Sequence, residues 1–165
     1  KNGVRKMWIY SSIVWILTLA PLLFINNMIS RFIVFGLMGL GLSGSLYSKA
    51  LIISNIIDED EVKTGNRRDA SYFGIYIFFL RLSSIFVFLS INLVFTNIGW
   101  TVFEPDVITP QIIIGLRMLG FVFPAIALTV VIIAMYKYPL HGEKLKKVIE
   151  DADKIHEEKR TRMLK

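Results

Sequence analysis

Apolar residues in this chain gather into four long blocks, at residues 7–25, 32–57, 72–95 and 112–136, separated by short polar breaks. Each block runs to about 20 residues or more, enough for a helix to cross a hydrocarbon core of about 30 Å. The pattern predicts an all-α membrane protein with four transmembrane helices. Pro21 marks the end of the first span, and Asn26-Asn27 reads as a tight turn on the outer side. The second block is rich in small residues, with Gly39/Ser43, Gly41/Ser45 and Gly44/Ser48 each four apart. Such pairs let helix backbones approach closely in lipid, either as static packing or as a surface that slides during transport.

The third block carries Arg81 near its middle and Asn92 further out. The fourth carries Arg117 in its outer third and Pro124 near its centre. Proline has no N–H, so Pro124 is expected to kink or loosen that helix. The connection over residues 96–111 holds Trp100, Phe103, Pro105 and Pro110 and reads as an interfacial loop with an aromatic anchor. Beyond the fourth block, Pro139 and Gly142 interrupt the helix. Leu145, Val148, Ile149, Ala152 and Ile155 then recur at helical spacing. Residues 140–165 are therefore expected to form an amphipathic tail helix, on the cytoplasmic face or along the headgroups. His141 and His156 read as solvated.

Composition sharpens this picture only in places. The 54% hydrophobic content exceeds that of an ordinary soluble domain, but the block structure decides the class. A cleaved signal peptide does not fit the first block, because three more spans follow it. The absence of cysteine excludes disulfides and thiolate metal sites. The net charge of +6 would suggest a nucleic-acid partner in a soluble protein. Here the bases are sorted by side. Lys1, Arg5 and Lys6 precede the first span, Lys63, Arg67 and Arg68 follow the second, and Lys137 and eight more follow the fourth. The positive-inside rule places both termini and the middle connection in the cytoplasm, and leaves no role for nucleic acid.

Arg81 is the most informative charge. A cation at mid-membrane costs about 2.5–3.5 kcal/mol on insertion scales and faces a cavity or a partner. The four spans hold no acid at that depth. Its partner is expected to be a ligand or a segment outside this stretch, with a structural ion pair as the plainer alternative. Lys49 is close enough to the cytoplasmic end to snorkel. For Arg117, snorkelling and lining a transport path stand even.

The acids Asp58-Glu59-Asp60-Glu61 do not form a calcium loop, which needs alternating ligands, a central Gly and a Glu at the twelfth position. The spacing of phosphoalcohol transferases is also missing. No Ser-His-Asp, phosphate-loop or His-Glu-x-x-His arrangement points to an enzyme or a metal site. A salt-bridged cytoplasmic gate built from Asp58, Asp60, Glu61, Arg67 and Arg68 fits better, because exposed pairs worth about 0–1 kcal/mol break easily. A solvated loop that only sets topology is the bland alternative.

The run "NIIDEDEVKTGNRRDASYFG" resembles the cytoplasmic motif before the eleventh helix of glycoside–pentoside–hexuronide:cation symporters, the melibiose-carrier branch of the major facilitator superfamily. Asp58, Asp60, Glu61, Thr64, Gly65, Arg67, Arg68, Tyr72, Phe73 and Gly74 match that motif. Asn55 stands where Asp is usual, and Asp69-Ala70 replace Glu-Gly. Arg81 occupies the position of a family Lys near the cation site. "GLRMLGFVFP", "YPLHGEKLKKVIED" and "NGVRK" are similar to further family segments, so the likeness covers nearly the whole chain.

The resemblance implies helices nine to twelve, a carboxy-terminal fragment of a major facilitator carrier in the cell membrane. It implies symport of a sugar or sugar-like solute, such as a glycoside, with Na⁺ or H⁺ by alternating access. No cofactor is implied beyond the coupling ion, whose site lies mainly in the missing amino-terminal half. The expected partners are that half, the solute and membrane lipid. Arg81, with Tyr47 and Arg117 as weaker candidates, would line the path. A lipid carrier or flippase on the same scaffold and a stand-alone four-helix scaffold protein are the rival readings.

Overall fold

The computed structural model describes residues 3–98 and 109–164. The expected loop residues Trp100, Phe103 and Pro105 lie outside them. Among the described residues every regular element is helical. Helix α1 spans Val4–Leu19 and continues as a 3₁₀ turn over Ala20–Leu23. Helix α2 spans Met28–Thr64, and α3 spans Asp69–Ile98. The fourth membrane helix is composite: α4 over Pro110–Arg117, a π-helical turn over Met118–Val122, then α5 over Phe123–Tyr136. Helix α6 covers Glu143–Met163. Four helical stretches are long and apolar enough to cross a membrane.

Local chemistry accounts for the boundaries. Pro21 lies at the start of the 3₁₀ turn, where its missing N–H leaves no α-helical bond unmade. Asn27 caps α2, its Oδ1 accepting from the Ile29 N–H at 3.0 Å. Arg31 reaches back to the Ile25 carbonyl and closes the turn between α1 and α2. Thr109 caps α4 with Pro110 as the first helical residue, the position proline suits best. Pro124 follows directly on the π turn, so the expected loosening takes the form of a wide turn inside an otherwise continuous helix.

The buried seam of α2 is Val34, Gly41, Ser45, Ser48, Ile52 and Asn55, spaced by sevens, fours and threes. It packs on α1, and α1 packs in turn on α5. The small residues set the approach. A Cβ on Gly41 would lie 2.5 Å from the Trp15 Cβ, and one on Gly44 would collide with Ser11. Gly36 and Gly39 face open space. Of the three expected small pairs, Gly41/Ser45 and Gly44/Ser48 therefore sit on or beside the packed seam and Gly39/Ser43 does not. Arg5 ties the first turn of α1 to the last turn of α5. Its Nε donates to the Met135 carbonyl at 2.9 Å and its Nη2 to the Tyr136 carbonyl at 2.6 Å. Those carbonyls end α5, where a cation is favoured.

Helix α3 is different. It touches α2 and α4 sparsely, and its apolar side chains, from Phe73 and Ile75 to Phe88 and Leu93, stay exposed.

Candidate cytoplasmic gate and membrane cations

The acidic run does not lie in a loop. Helix α2 carries Asp58–Glu61 in its last two turns and ends at Gly65, whose φ of 73° is a left-handed conformation that suits glycine. The Gly65 N–H donates to the Glu61 carbonyl at 2.8 Å. The chain reverses there, and Arg67 folds back over the acids. Its Nη1 lies 3.1 Å from Asp58 Oδ1 and 2.9 Å from Glu61 Oε2, and its Nε lies 2.9 Å from Asp69 Oδ2. Asp58 and Glu61 are three apart, so a helix presents both to one guanidinium. Asp69 sits in the first turn of α3, where an acid is favoured. Arg67 thus joins the end of α2 to the start of α3. Burial pulls its pKa down, but the bonds to Glu61, Asp69 and Asp58 outweigh this and leave it raised.

Glu61 is fully buried. Besides Arg67 it is met by two residues of α6. The Lys159 Nζ lies 2.5 Å from Oε1, and the His156 Nε2 lies 2.8 Å from Oε2. Glu59, two positions back, pairs with Lys63 at 2.9 Å and with Lys144 of α6 at 3.1 Å. Tyr138, between α5 and α6, is pushed up to about 12 by burial, with the Glu59 charge adding to it.

The structure brings together three of the five expected gate residues, Asp58, Glu61 and Arg67. Asp60 is apart, with its Oδ2 buried and without a partner among the described residues. Arg68 is exposed and makes no side-chain hydrogen bond or ion pair among them. His156 is not simply solvated, because it contacts both Glu61 and Arg67. Nothing in composition flagged His156 and Lys159. Their three-residue spacing on an amphipathic helix was the available signal.

The membrane cations stand separately. Lys49 meets a partner on the neighbouring helix. Its Nζ donates to the Tyr76 hydroxyl at 2.8 Å and lies 5.1 Å from the ring centre, linking α2 to α3. Arg81 is five positions beyond Tyr76, which is about 140° around a helix, so it turns away from that contact. It is exposed and has no hydrogen bond or ion pair among the described residues. Arg117 donates from Nη2 to Asn26 Oδ1 at 2.8 Å, fastening the turn between α1 and α2 to α4. Its Nε is buried and unpartnered among the described residues. Tyr47 is exposed on α2. The three expected path residues, Arg81, Arg117 and Tyr47, share no direct contact among these bonds.

Long apolar helices joined by a charged elbow, with cations inside the apolar spans, mark a polytopic membrane protein. The sequence model of the family described as MFS/sugar transport protein matches residues 1–142, and the chain belongs to that family of the major facilitator superfamily. A transporter rather than an enzyme is what this membership points to. Comparison with curated proteins and with solved structures returned no match.

Proposed function

We propose that the chain forms the carboxy-terminal third of a cation-coupled carrier of the melibiose-carrier kind. It moves a sugar or sugar-like solute together with Na⁺ or H⁺ by alternating access. Both ends of this segment face the cytoplasm, and the carrier resides in the cell membrane. The observation that carries the reading is Arg81: a guanidinium in the thirteenth position of a 30-residue apolar helix, exposed and unpaired among the described residues. A charge at that depth calls for a partner. In this reading acids of the amino-terminal half supply it, at a site near the bilayer midplane.

The sparse packing of α3 supports the same reading, since the helix has an apolar surface to give to another part of the carrier. Asp58, Glu61 and Arg67 form this segment's share of the cytoplasmic closure, with the exposed Arg68 free to meet the other half. Arginine in place of lysine at position 81 keeps its charge throughout and takes no part in proton exchange.

The test uses the full-length protein in vesicles. Uptake of a radiolabelled glycoside is expected to rise with an inward Na⁺ or H⁺ gradient, and Arg81→Ala is expected to abolish that dependence. Uptake indifferent to both gradients would refute symport, and an Arg81→Ala carrier with unchanged coupling would remove Arg81 from the site.

A further inference from the structure

We propose that α6 is a detachable strap on the cytoplasmic gate, seated on the buried Glu61 through His156 and Lys159, and that its seating governs how readily the α2–α3 elbow opens. Glu61 is the centre of the contact. Its Oε1 faces the Lys159 Nζ, and its Oε2 faces both the His156 Nε2 and the Arg67 Nη1. Two of its three side-chain partners therefore belong to the tail, 95 and 98 residues away in sequence. When α6 lifts, the carboxylate keeps Arg67 alone and becomes open to water. An exposed pair of that kind is worth only about 0–1 kcal/mol, so lifting the tail loosens the elbow beneath it.

The strap also touches the elbow directly. The His156 Nε2 lies 3.1 Å from the Arg67 Nη1, and Arg67 in turn holds Asp58 and Asp69. The bond network under the tail is the same one that joins α2 to α3.

The rest of the seat is narrow enough to release. Val148 and Ala152 are the buried residues of α6, and α2 is the helix it packs on. Lys144 and Lys159 grip Glu59 and Glu61 from opposite sides of that small apolar patch. Most of the remaining α6 surface is exposed. Elements with few buried contacts and mostly exposed surface are those that open locally.

The seat and its effect on transport fail separately, because only the second rests on the gate reading. The chain contains no cysteine, so within it a label at position 163, where Met163 is exposed, is unique. In the full-length carrier carrying Met163→Cys and a nitroxide, the spectrum is expected to show an ordered tail. His156→Ala combined with Lys159→Ala is expected to give a mobile label and tryptic cleavage of the tail about tenfold faster or more. Lys159→Arg is expected to keep the tail ordered. Both altered positions are partly exposed, so the fold survives them; Glu61→Gln, which keeps the side chain's shape, repeats the test from the other partner. An immobile label in both variants would overturn the seat. The initial rate of glycoside uptake into vesicles is expected to change about twofold or more in the double variant. A mobile tail with an unchanged uptake rate would overturn the strap's control of the gate, whatever Arg81 does.

Discussion

The Glu61 carboxylate and the His156 imidazole meet at 2.8 Å although 95 residues separate them in the chain. That contact decides where the tail helix goes. A carboxylate in the last turns of α2, met by His156 and Lys159 of α6, seats the tail against α2.

The two ionic grips on α6 should differ in strength. Glu61→Gln removes a buried charge that meets Arg67, Lys159 and His156 and is expected to cost about 1–3 kcal/mol at the tail seat. Lys144→Ala removes a half-exposed partner of Glu59 and is expected to cost less than about 1 kcal/mol. Amide exchange across Glu143–Met163, compared between the two variants, checks the order.

Glycines on α2 should separate by face. Gly41→Leu forces a side chain into the Trp15 backbone and Cβ and is expected to destabilise the α1–α2 pair by about 1–3 kcal/mol. Gly39→Leu meets open space and is expected to be nearly neutral. Thermal unfolding in detergent micelles distinguishes them.

Arg5→Ala should free the last carbonyls of α5. Both the Met135 and Tyr136 carbonyls lose their donor, and the expected loss is about 0.3–1 kcal/mol for the cation at the helix end. Faster amide exchange at Lys137 and Tyr138, with the middle of α5 unchanged, is the signature.

Lys49 and Tyr76 should be coupled. Lys49→Met and Tyr76→Phe, made singly and together, are expected to give a coupling energy of about 0.6–1.7 kcal/mol, the range of polar contacts between membrane helices. Equilibrium unfolding in mixed micelles measures the cycle, and additive losses would mean the contact contributes nothing.

The all-α membrane class was legible because hydrocarbon admits so few spanning structures, and unbroken apolar runs of this length leave the helix as the simple answer. Arg81 was legible as a membrane charge because the residue type alone is costly there. What escaped the sequence was directional. The acids Asp58 to Glu61 look like a loop because they are polar, yet α2 carries them in its final turns, since Gly65 rather than the first acid ends the helix. Lys49 looked free to reach water, but a hydroxyl on the neighbouring helix lay within its range. His156 reads as solvated in the sequence because its partner, Glu61, is nearly a hundred residues away. Contacts of that separation leave no periodic trace.

Helix α2 is 37 residues long, which at 1.5 Å per residue is about 56 Å, far more than a bilayer core of about 30 Å requires. The surplus makes it a lever. Glu61 lies twelve residues beyond Lys49, about 18 Å along the axis, so a tilt of about 10° about the level of Lys49 carries the carboxylate roughly 3 Å. Hydrogen bonds fail over a much smaller distance. A rocking motion of one continuous rod is thus turned, at its tip, into the making or breaking of the ionic contacts that α2 makes with α6.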